Sequence, residues 1–268
     1  MSVDVSPASK ATMNVGNGTH SMEVRDVHKA FGPFEILTGL NLNFQDDAIT
    51  TILGPSGTGK SVLIKHLVGL LEPDRGEVLI HGHDIWKISK KERYELRKRF
   101  GVLFQDGALF GSMNVFDNVA FPLRKHTDTP EDEIGDKVME LLAEVGLEQG
   151  ASKLPSEISG GMRKRAGFAR AMVLEPDIVL FDEPDSGLDP VRTSLLNDVI
   201  LAMHERHKGT YMVVTHDMKT TRKVSDYVGV IWKGKCIHYS SADEAFESDN
   251  PFVRQFLAGD SAGPLGMD

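Results

Sequence analysis

Thr50-Thr51-Ile52-Leu53-Gly54-Pro55-Ser56-Gly57-Thr58-Gly59-Lys60-Ser61 decides how this chain folds. Thr50 to Leu53 reads as a short strand and Ser61 to Val68 as a helix, so the glycines fall where a strand must turn into a helix. Glycine allows a turn tight enough for several backbone N–H groups to converge on phosphate oxygens, and the helix N-terminus behind it adds partial positive charge. In such a loop Lys60 is expected to reach the β- and γ-phosphates and the Ser61 hydroxyl to ligate Mg²⁺. An ordinary Gly-rich turn would need none of this agreement among spacing, lysine, hydroxyl and flanking strand and helix.

A second stretch supplies acid. Ile178-Val179-Leu180-Phe181-Asp182-Glu183 is a continuous apolar run ending in two carboxylates, the pattern of a buried strand that delivers charge at its C-terminal edge. Asp182 is placed to hold Mg²⁺ through its water shell, and Glu183 to polarise an attacking water. Alone the acidic pair is weak evidence. Joined to the phosphate loop it implies hydrolysis of a nucleoside triphosphate. Far downstream of Lys60, Ser159-Gly160-Gly161 reads as another phosphate-contacting turn, and each half-site occurs once, so a complete site requires two copies of the chain.

Through Ile158-Ser159-Gly160-Gly161-Met162 the chain resembles the ATP-binding cassette (ABC) ATPases, and the other cassette elements follow in family order. The resemblance spans about residues 22 to 240. It implies an α/β fold: a nucleotide-binding domain with a P-loop, RecA-like core, an antiparallel β subdomain and an α-helical subdomain. It implies ATP and Mg²⁺ as ligands. Phe31, in Lys29-Ala30-Phe31-Gly32, corresponds to the aromatic that stacks on adenine, with Phe34 as the alternative. Gln105 corresponds to the Q-loop glutamine that touches Mg²⁺ and senses the γ-phosphate. Ser186-Gly187-Leu188-Asp189 corresponds to the D-loop, in which Asp189 links the two sites, and His216 to the switch histidine. Met162 and Ile158 depart from the usual glutamine and leucine of the signature, while the phosphate-facing Ser159 and Gly160-Gly161 remain.

A narrower likeness lies in Val102 to Arg124, in Phe181 to Pro190 and in Val253-Arg254-Gln255-Phe256-Leu257, which resemble ATPases serving MCE (mammalian cell entry) lipid transporters of the actinobacterial branch. This implies a head-to-tail homodimer, an integral-membrane permease partner, MCE-type lipid-binding proteins as indirect partners, and residence at the cytoplasmic face of the cell membrane. Three rivals remain. A chromosome-maintenance ATPase would need a long coiled coil between the half-sites, a binding module gated by ATP would need little turnover, and an importer of polar solutes would differ in its Q-loop segment.

Composition agrees with a single cassette. The 268 residues are 40% apolar and 26% charged, ordinary globular usage. A net charge of −9 argues against nucleic acid as a partner, although Lys87 to Arg99 is locally basic. Cys236 has no second cysteine to pair with and fits a reducing compartment as a small apolar strand residue. No apolar run approaches the roughly 18 residues of a membrane helix, and residues 1–20 read as a disordered tail without a signal peptide's apolar core. The cassette is expected over 21–245, with its helical subdomain at about 106–170, and a C-terminal extension over 246–268. Ser89-x-x-Glu92 predicts a capped basic helix, and Thr129-Pro130 opens a helix with Ile134, Val138, Leu141, Leu142 and Val145 on one face, ended by Gly146. Arg163, Lys164 and Arg165 crowd the start of the signature helix, where cations oppose the macrodipole, and polyphosphate facing that end is the expected reason. In the extension, Phe252, Phe256 and Leu257 need a surface, either the chain's own lobe or, as the MCE likeness favours, a neighbouring subunit.

Overall fold

The computed structural model describes residues 20–260 and Gly263; the expected N-terminal tail lies outside the described residues but for its last position. The chain opens with β1 (Met22–Phe31), β2 (Phe34–Phe44), β3 (Ile49–Leu53), α1 (Lys60–Leu67), β4 (Arg75–Ile80) and β5 (His83–Asp84). Next come α2 (Lys90–Arg97), β6 (Phe100–Leu103), α3 (Val115–His126), α4 (Glu131–Glu144) and α5 (Gly160–Met172). The remainder alternates: β7 (Ile178–Asp182), α6 (Pro190–His207), β8 (Thr210–Val214), α7 (Met218–Val224), β9 (Tyr227–Trp232), β10 (Lys235–Ser241), α8 (Ala242–Phe246) and α9 (Pro251–Ala258).

Two sheets result. One is antiparallel, ordered β2-β1-β4-β5, and the other has the order β10-β9-β3-β8-β7-β6. In the larger sheet β9, β3, β8, β7 and β6 run parallel, and β10 pairs antiparallel with β9. The apolar runs are continuous because these strands are covered on both faces. Successive residues take opposite sides: Ile178 and Leu180 pack with α1 and the antiparallel sheet, whereas Val179 and Phe181 pack with the helices. Met212 and Val214 of β8 repeat the first direction, Tyr211 and Val213 the second. Phe168 of α5 meets Phe181 edge-on with ring centroids 5.0 Å apart, so the signature helix is bolted to the strand that carries the carboxylates.

The helix punctuation is as the sequence implies. Ser89 and Glu92 form a reciprocal capping box on α2. α4 starts one residue beyond Pro130, buries the expected apolar stripe, and stops where Gly146 adopts φ 63°. The basic stretch 87–99 is partly paired locally: Lys87 pairs with Glu77 and Asp84, Lys98 with Glu95, Arg99 with Asp177, and Arg93 lies over the Trp86 ring. Cys236 lies partly buried in β10, and burial pushes its thiol up.

The C-terminal stretch packs on the chain's own lobe, one of the two surfaces expected for it. α9 seats Val253, which is 0% exposed, against Leu53, Val228, Val230 and Ala245, with Phe256 and Leu257 partly buried beside them. The chain's own sheet, continuous with α8, thus supplies a surface for Val253, Phe256 and Leu257, and Phe252 is not part of that cluster. Val253, between the aromatics singled out in the sequence, is the anchor. Val253→Ala is therefore expected to destabilise the isolated chain by about 1–3 kcal/mol, read from its urea midpoint. An unchanged midpoint would mean that α9 contributes nothing to the chain's own core.

Candidate active site

β3, β6, β7 and β8 all point their C-terminal ends to one edge of the parallel sheet, and the expected site residues leave from those ends. The phosphate loop follows β3. Two of its glycines are required by space: a Cβ at Gly54 (φ 151°) would stand 2.3 Å from the Ile231 carbonyl oxygen, and one at Gly59 (φ 97°) would stand 2.8 Å from Leu37 Cδ2. The loop is thus clamped between β9 and β2. Gly59 N-caps α1, Ser56 and Gly57 are exposed, and Thr58 closes the turn by donating from its hydroxyl to the Pro55 carbonyl at 2.9 Å.

Lys60 is buried, and its Nζ donates to the carbonyls of Gly54 (2.6 Å) and Pro55 (2.9 Å). Burial pulls its pKa down while Glu183 and Asp182 push it back up. The Ser61 hydroxyl donates to Asp182 Oδ1 at 3.2 Å, bringing together the two residues expected to share a metal. Burial pushes the Asp182 carboxyl up, with Glu183 adding to the shift and the Ser61 hydrogen bond, Lys60 and Lys65 opposing it. Hydroxyl, carboxylate and the amide of Gln105 are hard oxygen donors that suit Mg²⁺. Among the described residues no group of three or more His, Cys, Asp or Glu could hold a metal, so an ion here would draw the rest of its coordination from phosphate and water.

Glu183 sits one residue beyond β7 with φ 49°, a left-handed backbone that only a firmly held non-glycine residue keeps. It is held: its N–H donates to the Val214 carbonyl at 2.9 Å, and its Oε1 lies 2.9 Å from His216 Nε2. Glu183 and His216, expected as base and switch histidine, therefore share a hydrogen bond. Thr215 Oγ1 donates to Asp185 Oδ2 at 2.5 Å, tying the loop after β8 to the loop after β7. Phe31 (47% exposed), Ile36, Ser56, Gly57, Gly59, Lys60, Ser61, Val62 and Glu183 line one cleft of about 350 Å³. Phe34 is 70% exposed and outside that wall, which favours Phe31 as the aromatic. A larger hollow of about 460 Å³ opens on the other side of Glu183, walled by His216, Ser186, Leu188 and α7.

Other expected residues stand apart from the cleft. Gln105 is exposed in the turn after β6. Ser159 is exposed at the N-cap of α5, accepting from Met162 N at 3.3 Å, and a Cβ on Gly161 would lie 3.7 Å from Leu188 Cδ2. The Ser159-Gly160-Gly161 turn and the D-loop thus adjoin on one surface, and neither Ser159 nor its glycines reach Lys60's cleft within the chain. Asp189 caps α6, accepting at 3.0 Å from the N–H groups of Val191 and Arg192, which helps hold its carboxyl below the usual range.

The basic trio at the start of α5 needs correction. Arg163 donates to the Ile158 carbonyl, Arg165 to those of Val145 and Gly146, and Lys164 to those of Ser186 and Glu183. All three engage backbone carbonyls of this chain rather than facing outward toward phosphate. Sequence reasoning also passed over Asp185. Helical spacing could have flagged Lys164, which shares a face with the buried Gly167, Phe168 and Met172.

Comparison with known proteins agrees with this geometry. Residues 37–186 match the family model described as "ABC transporter". The chain is 52% identical over 247 residues to the "Probable ribonucleotide transport ATP-binding protein mkl" of Mycobacterium tuberculosis, covering 92% of this chain and 69% of that one. It is 43% identical to the "Intermembrane phospholipid transport system ATP-binding protein MlaF" of Haemophilus influenzae, covering 91% and 92%. Among solved structures, cbiO1 from Clostridium perfringens superposes with TM-score 0.79 at 30% identity, covering 86% of this chain and 92% of that one. The dimeric cassette MJ0796 bound to ADP and Pi superposes with TM-score 0.75 at 27% identity, covering 82% and 98%. With phosphate loop, paired carboxylates, switch histidine and signature turn each on its expected element, the chain belongs to the ABC transporter family and is one of its ATP-hydrolysing subunits.

Proposed function

We propose that two copies of this chain close head to tail on two ATP molecules at the cytoplasmic face of a membrane and drive lipid transport through a permease of the MCE type. The observation that carries the composite site is the separation just described: the cleft holding Phe31, Lys60 and Glu183 lacks the Ser159 turn, which lies exposed beside the D-loop of the same chain. A two-fold partner would bring its own Ser159-Gly160-Gly161 over that cleft. The likeness to the MJ0796 dimer supports this arrangement. Among the described residues no helix is long and apolar enough to cross a membrane, which agrees with a permease supplying the membrane path. The lipid class is supported by the MlaF relatives, which match over nearly their whole length.

In this reading adenine stacks on Phe31, and the backbone N–H groups of Ser56 to Lys60 receive the phosphates. Lys60 exchanges the carbonyls of Gly54 and Pro55 for phosphate oxygens. Ser61 and Asp182, together with Gln105, would hold Mg²⁺, which would supply charge neutralisation on the triphosphate. Glu183 takes the proton of the attacking water, and His216, already 2.9 Å from Glu183 Oε1, orients water and γ-phosphate. Asp189, capping α6 beside the signature turn, joins one site to the other. MCE-type lipid-binding proteins would be reached only through the permease, and nucleic acid is no partner.

Glu183→Gln is expected to retain ATP binding and lower phosphate release about 10²- to 10⁴-fold. Wild-type turnover in that variant would show that another group is the base. Lys60→Ala should lose nucleotide affinity, and when mixed with Ser159→Arg it should recover partial activity, because the heterodimer keeps one intact site. Verified heterodimers without recovery would count against the composite site. The substrate class is tested by isolating the complex from its native membrane in mild detergent. Co-purifying phospholipid and an MCE-type permease are expected, whereas a complex that stimulates ATP turnover with ribonucleotides and carries no lipid would overturn the lipid reading.

A further inference from the structure

Lys164 is buried to 5% exposure, yet among the described residues no carboxylate forms a direct ion pair with it. Its Nζ stands 2.5 Å from the Ser186 carbonyl oxygen, 3.4 Å from the Glu183 carbonyl oxygen and 3.5 Å from Ser186 Oγ. These acceptors belong to one tight turn, in which Ser186 N–H donates to the Glu183 carbonyl at 3.2 Å and Leu188 N–H to the Asp185 carbonyl at 3.1 Å. β8 and the loop after it hold the turn from the opposite side through Val214 and Thr215. Burying an ammonium on carbonyls alone is unfavourable unless the surrounding field is negative, and Asp185, Asp106 and Glu183 supply that field. Burial still pulls the Lys164 pKa down.

The remainder of α5 is fixed elsewhere. Arg170 donates to the carbonyls of Gly107 (3.0 Å) and Ala108 (2.8 Å), just beyond Gln105, and a Cβ on Gly107 would lie 2.8 Å from the Arg163 carbonyl oxygen. The signature helix therefore touches the Q-loop stretch at one place and the turn bearing Glu183 at another. Among the described residues only Lys164 makes the second contact by hydrogen bonds, at 2.5 Å to the Ser186 carbonyl and at 3.4 Å to that of Glu183, whose backbone is left-handed (φ 49°).

We propose that Lys164 is a positioning residue for hydrolysis: it ties the signature helix to the chain's own Glu183–Ser186 turn, so that the carboxylate of Glu183 stays aimed when Ser159 engages nucleotide held by the other copy. The proposal rests on Glu183 being the base. A residue that acts by aiming another group should change turnover more than substrate affinity. Misplacing a reacting group by about 1 Å costs up to about 100-fold in rate.

The test uses the full-length protein. Lys164→Met is expected to lower kcat about 10- to 100-fold with KM for ATP within about twofold of wild type, and Lys164→Arg, which keeps the donors, to recover most of kcat. In the Glu183→Gln background Lys164→Met should add little further loss, because the group it aims is already gone. Wild-type kcat in Lys164→Met, or a loss in which KM rises in step and Lys164→Arg gives no rescue, overturns the proposal. So does full additivity with Glu183→Gln. If Lys164→Met does not fold, Lys164→Gln is read for the same split and the same non-additivity. Hydrolysis at the wild-type rate in Glu183→Gln would sink the base assignment itself, whereas loss there without loss in the Lys164 variants sinks only the link.

Discussion

The covering of the parallel sheet on both faces is the constraint from which the site follows. With Ile178 and Leu180 packed to one side and Val179 and Phe181 to the other, no polar side chain can leave β7 until the strand ends. β3 and β8 carry no charged side chain along their length either, their polar members being the buried hydroxyl-bearing Thr50, Thr51, Thr210 and Tyr211. Because β3, β6, β7 and β8 are parallel, their ends coincide at one edge, and phosphate loop, glutamine, carboxylates and histidine emerge there together. The chemistry is concentrated by exclusion: every other part of these strands is closed to charge.

How much of this could be read from residues alone depended on how local each cause is. The phosphate loop was legible because its glycines, lysine and hydroxyl serve one another within a few positions, and the carboxylates because an apolar run can end in charge only at an edge. The helix limits at Ser89, Gly146 and Ser159 are local in the same sense. The basic trio misled because a macrodipole argument treats α5 as an isolated rod, whereas Arg163, Lys164 and Arg165 answer to carbonyls at Ile158, Val145 and Ser186 that only the tertiary fold brings near. The aromatics of α9 stood out in sequence, yet β-branched Val253 is the residue that seals it, since size does not reveal which side of a short helix meets the sheet.

The two departures in the signature have a common physical sense. Ile158 is buried, and Met162 packs partly against the helical-lobe core, with its Cε 3.5 Å from where a Gly150 Cβ would stand. Apolar groups on both sides of Ser159 anchor the cap to its own lobe, leaving the hydroxyl and the two glycines as the part presented outward. Met162 therefore uses part of its side chain for internal packing at the place where the signature usually has a glutamine.

The left-handed backbone at Glu183 sets two kinds of fitness against each other. Glycine or asparagine would sit there with less strain, by about 1 kcal/mol or more, and either would remove the carboxylate. With Glu183 as the proposed base, selection for thermal robustness alone would drift toward an inert protein at this position, and a collection of stabilised variants is where loss of turnover would first accumulate.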